Sequence, residues 1–449
     1  MDFIVRLFEI DLKNKDRFLK YFIIIFLLIL IFGTKGSLLL GIIPLGYFFY
    51  RRRDISIIEV LNIFEQGIFY KFFISLIYEY GNMRNESIRS LILLAIINLF
   101  LNFKKNNLKL FKIPIVLAGW FFIGLLWNYL SSGNIESLTI FYKENIYLLL
   151  PFSLNILFIK NETLLFICKK MVPISIFGFL FKVINAVRVY EMKGNLISVL
   201  SLIVPYTFFS IFLEKNKYLK FINLVSFITG IWIIVKTGAR GALGGIVVGI
   251  IIGIILNKGW KGIILSVILL FIVILGLQFS PKIEKHFLKM NDFSTRSRYY
   301  LVDAGIYTFK NNFIFGSGRG NTQKYFIEYS NTDFNSKKYL KNDNEIKITK
   351  EIYLKTFPDT HNIFIDFLAE YGILGIFITF FLGIIIPIGI CRQYFITKNN
   401  EILQILVSLI SFLVSGMSWS LWTRHNEGIP YFIVLLWFFC IIQHQNKKY

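Results

Sequence analysis

The stretch VKTGARGALGGIVVG, residues 235–249, sets Lys236, Arg240 and a cluster of small residues between two runs, 224–235 and 246–256, that are apolar enough to lie in lipid. Its neighbours repeat the pattern. Apolar blocks recur along most of the 449 residues, and the chain is 55% hydrophobic and 18% aromatic, which no ordinary soluble domain matches. Many blocks are roughly 15–20 residues long, the length that crosses a hydrocarbon core of about 30 Å at about 1.5 Å per residue. They are continuously apolar rather than alternating, and unpaired backbone groups are too costly in lipid, so helices rather than a barrel are expected. The fold class expected is an all-α polytopic integral membrane protein.

About fourteen candidate spans can be drawn: 18–33, 36–50, 55–80, 88–103, 113–130, 145–159, 163–181, 195–213, 221–235, 241–256, 262–279, 362–390, 401–421 and 429–443. The third is interrupted by Glu59, Glu65 and Lys71, and the first two are short enough to form a re-entrant hairpin, so about 12–14 helices are expected. The first apolar run follows a basic segment with no small-residue cleavage site and reads as an anchor. With both termini in the cytoplasm, the inside loops 51–54, 104–112, 160–170, 214–220, 257–262 and 391–400 are all basic. The outside turns 33–36, 81–87, 131–145, the one holding Arg240 and 422–428 are mostly poorer in Lys and Arg. Much of the +22 formal charge therefore faces anionic membrane lipids, and nucleic acid is not an expected partner. Cys168, Cys391 and Cys440 show neither metal spacing nor a disulfide framework.

One connection is long. The chain divides into transmembrane helices over 1–279, a large outside loop over 280–361, and C-terminal transmembrane helices over 362–449. The middle of the loop, 331–350, has the composition of a disordered segment, and its flanks do not. In the first flank Leu301, Val302, Ile306 and Phe309 recur at helical spacing, which predicts an amphipathic helix on the membrane surface opening near Arg296 and Arg298. In the last flank, FPDTHNIF (357–364), Asp359 or Thr360 is expected to cap a descending helix with His361 in its first turn.

This topology gathers Arg240, Arg296, Arg298, Arg319 and His361 on one side of the membrane. Guanidinium groups grip phosphate oxygens in a bidentate fork and keep their charge, so they suit a lipid-linked diphosphate at that depth. Preorganised, they stabilise the charge that develops when the diphosphate leaves, and a histidine beside them can accept a proton from an attacking hydroxyl. Each residue also has a plain structural reading. Arg240 alone would snorkel to headgroups, His361 alone would cap or pack, and GSGRGN (316–321), containing Arg319, would be an ordinary turn rather than a phosphate nest. DNE at 343–345 reads as solvated loop rather than a metal site, Arg424 and His425 as a plain turn, and TGARGALGG as a close helix-packing surface.

On TGARGAL (237–243), on the segment from Arg298 through YYLVDAGIYTFKNNFIFGSGRGN, and on HNIFIDFLAEYGILG (361–375), the chain resembles the O-antigen ligase and O-antigen polymerase superfamily of bacterial envelope polysaccharide glycosyltransferases. The resemblance covers roughly the second half of the chain. It implies an enzyme of the bacterial inner membrane with a periplasmic site, taking glycan from undecaprenyl diphosphate with no cofactor and no metal. The acceptor would be lipid A–core for a ligase or another growing glycan for a polymerase. By position, Arg240 and Arg298 would hold the diphosphate and His361 would assist the acceptor, with Arg296 as a substitute because TRSR leaves the register open by two. Family members often carry Ser where this chain has Ala239. Ligase is the reading adopted, polymerase the alternative, and a lipid-linked glycan transporter a third.

Overall fold

A computed structural model describes residues 112–133, 135–145, 149, 193–278, 293–331, 339–349, 359–418 and 441. Spans expected at 18–103, 163–181 and 429–443, most of 145–159, and the turn with Arg424 and His425 lie outside these residues. Among the described residues every regular element is helical. Nearly all of them belong to one compact unit, Ala118–Leu148 with Met171–Phe438.

In chain order the helices are α1 (Lys112–Ser132), α2 (Ile135–Asn145), α3 (Lys193–Leu213), α4 (Lys217–Thr237), α5 (Arg240–Lys258) and α6 (Trp260–Gln278). There follow α7 (Phe293–Asn311), α8 (Thr322–Ser330), α9 (Asp343–Ile348), α10 (Ile363–Tyr371), α11 (Ile373–Thr397) and α12 (Asn400–Gly416). Three of them, α4, α5 and α11, are long and apolar enough to cross a membrane, so the chain is an integral membrane protein.

Two expectations change. The span drawn over 362–390 is two elements: α10 ends at Gly372, whose φ of 58° a side chain would resist, and α11 starts afresh at Ile373. A continuous apolar run conceals such a break because Gly372 is the only local mark of it. Within α11, Pro387 cannot donate to the carbonyl four residues back, and the backbone widens into a π-helical turn over Phe381–Ile385. Within the segment 331–350, the described residues 339–349 hold a capped helix that composition alone did not suggest. Asn342 caps α9 by accepting from Glu345 N, and Tyr339 donates to Asp303 Oδ2 of α7 at 2.5 Å.

The bundle is organised by α5 and α12. Gly241, Gly245, Gly249 and Gly253 form one face of α5 at a four-residue spacing. A Cβ added at Gly245 would lie 2.4 Å from the Ser411 carbonyl oxygen, and one at Gly249 would lie 2.8 Å from that of Val407. The facing helix has a matching polar edge: Gln404, Ser408, Ser411, Ser415 and, just past its end, Ser418. Ser408, Ser415 and Ser418 return their hydroxyls to carbonyls of the same segment at 2.8–3.0 Å, so they present small surfaces rather than unmet polar groups. Gln404 Nε2 donates to Ser210 Oγ at 3.1 Å and ties in α3. Lipid offers no hydrophobic drive between helices, so this close approach gains from dispersion and backbone contact.

Gly245→Val should therefore cost about 1–3 kcal/mol by overpacking, measured as a fall in Tm of the detergent-solubilised protein. Gly244→Ala, on the exposed neighbouring face with nothing within 4 Å of the added Cβ, should leave Tm unchanged or raise it.

Candidate functional site

The opening motif makes a two-residue connection between α4 and α5. Gly238 ends α4 at φ 65° in the left-handed region, and the amides of Gly238 and Ala239 return to Val235 O and Ile234 O at 3.2 and 3.1 Å. After Ala239 the chain enters α5 directly, and Arg240 is its first residue. Ala239 supplies no side-chain cap, so the positive end of the α5 dipole sits beside the half-buried Arg240.

The second motif differs from expectation. Asn362, not Asp359 or Thr360, caps α10: its Oδ1 accepts from Phe364 N and Ile365 N at 3.0 and 3.2 Å. His361 accordingly precedes the helix rather than lying in its first turn, and its φ is 54°. For a non-glycine residue this conformation costs about 1–3 kcal/mol and persists where neighbours over-determine it. His361 Nδ1 lies 2.5 Å from Asp359 Oδ1, and the His361 backbone N–H reaches the same oxygen at 3.2 Å. Thr360 donates both N–H and Oγ1–H to Asp366 Oδ1 at 2.8 Å.

These two motifs meet at the C-terminal end of α12. Gly241, beside Arg240, packs on Ser418 and Ser415, while Gly416 touches Ile363 and Asn362 Nδ2 donates to Met417 O at 3.2 Å. The segments that hold Arg240 and His361 thus both rest on the end of α12, residues 415–418.

The helix expected around Arg298 is present as α7. Its apolar residues Tyr300, Leu301 and Ala304 are buried with Phe326 and Tyr329 of α8, a protein surface that satisfies the same periodicity as lipid would. Gly305 fits against Thr360 and Ile365 of the second motif, and beyond the end of α7 Ser317 N and Gly318 N reach Ala369 O and Glu370 O. The two helices therefore run in the same direction. Arg298, two turns before Gly305 and on the same face, lies about 10 Å from it along α7. Arg296, two residues earlier, points elsewhere around the helix: its Nη2 pairs with Glu345 Oε1 at 2.5 Å. The Lys341 N–H, seconded by Arg296, holds the Glu345 carboxyl below its ordinary value.

GSGRGN is a clasp. Ser317 N and Gly318 N donate to Ala369 O and Glu370 O at 2.9 and 3.0 Å, and Gly316 presses so closely on the Glu370–Tyr371 backbone that no Cβ fits. Arg319 N donates to Asn128 Oδ1 and Arg319 O accepts from Ser137 Oγ, both at 2.6 Å, which joins α1 and α2 to the loop. The Arg319 guanidinium pairs with Glu370, which is 2% exposed. Trp127 Nε1 adds donations to Phe315 O and Tyr371 O. Backbone amides that would line a phosphate nest are thereby committed to protein acceptors. Glu345 in DNE likewise serves Arg296 and Lys341 N.

Sequence reading missed Asp359 as the partner of the histidine ring, and also Asn128, Ser137 and Glu370. The D-x-H spacing of Asp359 and His361 was a usable signal. The clasp partners lie 182–191 residues from Arg319, or 51 residues in the case of Glu370, with nothing local to announce them.

Residues 225–380 match the family model described as O-antigen ligase. The matched segment begins within α4, ends within α11, and contains Arg240, Arg296, Arg298, Arg319 and His361. No curated protein and no solved structure matches the chain.

Removing one partner of the buried clasp pair leaves an uncompensated charge. Arg319→Ala or Glu370→Ala should each destabilise the protein by about 3–5 kcal/mol, and Arg319→Met combined with Glu370→Leu by less than either. Thermal unfolding in detergent reads the difference.

Proposed function

We propose that this protein is an O-antigen ligase, transferring glycan from undecaprenyl diphosphate to lipid A–core at the periplasmic face of the bacterial inner membrane. In this reading the loop 280–361 is periplasmic and both termini are cytoplasmic. Arg240 and Arg298 hold the diphosphate, and His361 takes the proton of the acceptor hydroxyl as that oxygen attacks the anomeric carbon. Charge builds on the leaving diphosphate, and fixed guanidinium groups stabilise it best where water is scarce. No cofactor or metal is required by this chemistry. The observation that carries the reading is the shared footing of the Arg240 and His361 segments on residues 415–418, the two segments lying within a stretch that matches the O-antigen ligase family.

Further support comes from the details. The α5 N-terminus has no side-chain cap at Ala239 and so favours an anion beside Arg240. The α10 N-terminus is closed by Asn362, which makes the arginines rather than that helix the natural phosphate grip. Arg298 is taken as the second arginine by its position in the resemblance, and Arg296 pairs with Glu345. Arg319 is the weakest of the four, being held at its backbone by Asn128 and Ser137 and at its side chain by Glu370.

Gel analysis of lipopolysaccharide and of undecaprenyl-linked glycan after deletion of the gene tests the reaction. Bare lipid A–core with long polymer accumulating on undecaprenyl diphosphate is the expected result. Lipid A–core bearing a single repeat unit would make the protein the polymerase, and donor stranded on the cytoplasmic side would make it a transporter. Arg240→Ala, Arg298→Ala and His361→Ala should each lower transfer by at least about 100-fold while membrane insertion is unchanged. Wild-type transfer by the Arg240 variant would defeat the assignment of the diphosphate site.

A further inference from the structure

The buried pair of Asp359 and His361 has a geometry that capping does not explain. Each residue is 6% exposed, and α10 already has its cap in Asn362. Asp359 Oδ1 receives two bonds from one residue, the ring Nδ1 at 2.5 Å and the backbone N–H at 3.2 Å. A single oxygen thus fixes both the left-handed backbone of His361 and the direction of its imidazole. The residues around it are pinned independently: Thr360 by Asp366, Asn362 by Met417 O, and Thr360 again by the space that Gly305 leaves. His361 is held on both sides along the chain, and Asp359 supplies what remains, the orientation of the ring.

We propose that Asp359 is a positioning residue for the transfer reaction, acting through His361. This rests on the glycosyltransferase reading above. An ionised carboxylate can only accept, so the neutral ring carries its proton on Nδ1 and its acceptor lone pair on Nε2. Nε2 is then the atom that takes the proton from the acceptor hydroxyl. The acceptor oxygen forms its bond to the anomeric carbon, and the bond from that carbon to the diphosphate oxygen breaks, its electron pair leaving with the diphosphate. The proton resides on Nε2 until it passes to solvent or product phosphate. Asp359 stays ionised throughout and stabilises the imidazolium that forms. An isosteric amide would break this logic, because its NH2 can donate to Nδ1 and place the ring proton on Nε2, where it blocks acceptance.

Kinetics in proteoliposomes with undecaprenyl-diphosphate-linked glycan and lipid A–core separate this role from a structural one. Asp359→Asn should lower kcat by about 10²–10⁴-fold, as such tautomer inversions do, while donor KM stays within about twofold and Tm stays near wild type. Asp359→Glu, which restores a carboxylate on a longer arm, should recover part of kcat. An Asp359→Asn enzyme with kcat within threefold of wild type overturns the proposal, as does a loss explained by a matching fall in Tm or rise in KM. Should the Asn variant not fold, an Asp359→Glu variant that folds but shows no more turnover than Asp359→Ala overturns it equally. His361→Ala distinguishes the two levels. If it transfers normally, the catalytic reading itself fails. If it is inactive while Asp359→Asn is active, only the role of Asp359 is lost.

Discussion

Everything at this site depends on how closely α5 can approach α12. Four glycines at four-residue spacing remove the side chains that would hold the helices apart, and Ser411, Ser415 and Ser418 supply a facing edge of small groups whose hydroxyls are mostly returned to their own backbone. In lipid such contact has to be close to be worth anything, since the alternative neighbour is equally apolar. The same contact has a chemical consequence. It draws the end of α12, residues 415–418, against the first residues of α5, and the DTHN segment is hung on that end through Ile363 and Asn362. A helix-packing seam thus anchors both the segment that opens with Arg240 and the segment that holds His361.

A second constraint keeps the loop helices in register with the bundle. The GSGRGN clasp is sewn to α10 by two amide bonds and to α1 and α2 by Asn128 and Ser137, with the Arg319–Glu370 pair closing it. Because α7 leads directly into this clasp, anchoring the clasp also sets how far α7 projects past α10. Rigidity here is built from buried polar bonds, which are costly if half-made and specific when complete. The strained φ of His361 sits at the centre of these supports, where several independent bonds can hold it.

Much of the candidate site was legible in the chain. TGARG declared a break between two apolar runs, because charges at Lys236 and Arg240 are costly within lipid. The helix around Arg298 followed from its 3.6-residue period, and the histidine from its place before an apolar run. What was misread were features sharing one signal between two causes. The period of α7 names Leu301 but not its burial against Phe326 and Tyr329. Any of Asp359, Thr360 and Asn362 has the chemistry of a cap, and only the backbone angles choose Asn362. Arg319 in a glycine-rich turn looks like a phosphate ligand until Glu370 is found beside it.

The sequence by itself determined the membrane-embedded helical class, the place of the α4–α5 turn and the presence of an arginine and histidine set of one chemical kind. These are properties of local composition and period, and they need no partner to be read. Tertiary structure alone decided which arginines are engaged elsewhere, that Asp359 orients the histidine ring, and that α12 is the common footing of both motifs. The reason is physical: apart from the Asp359–His361 pair, which depends on the left-handed backbone of His361, these are contacts between segments separated by tens to nearly two hundred residues, and their bonding depends on approach distance and direction, which no single stretch of chain encodes.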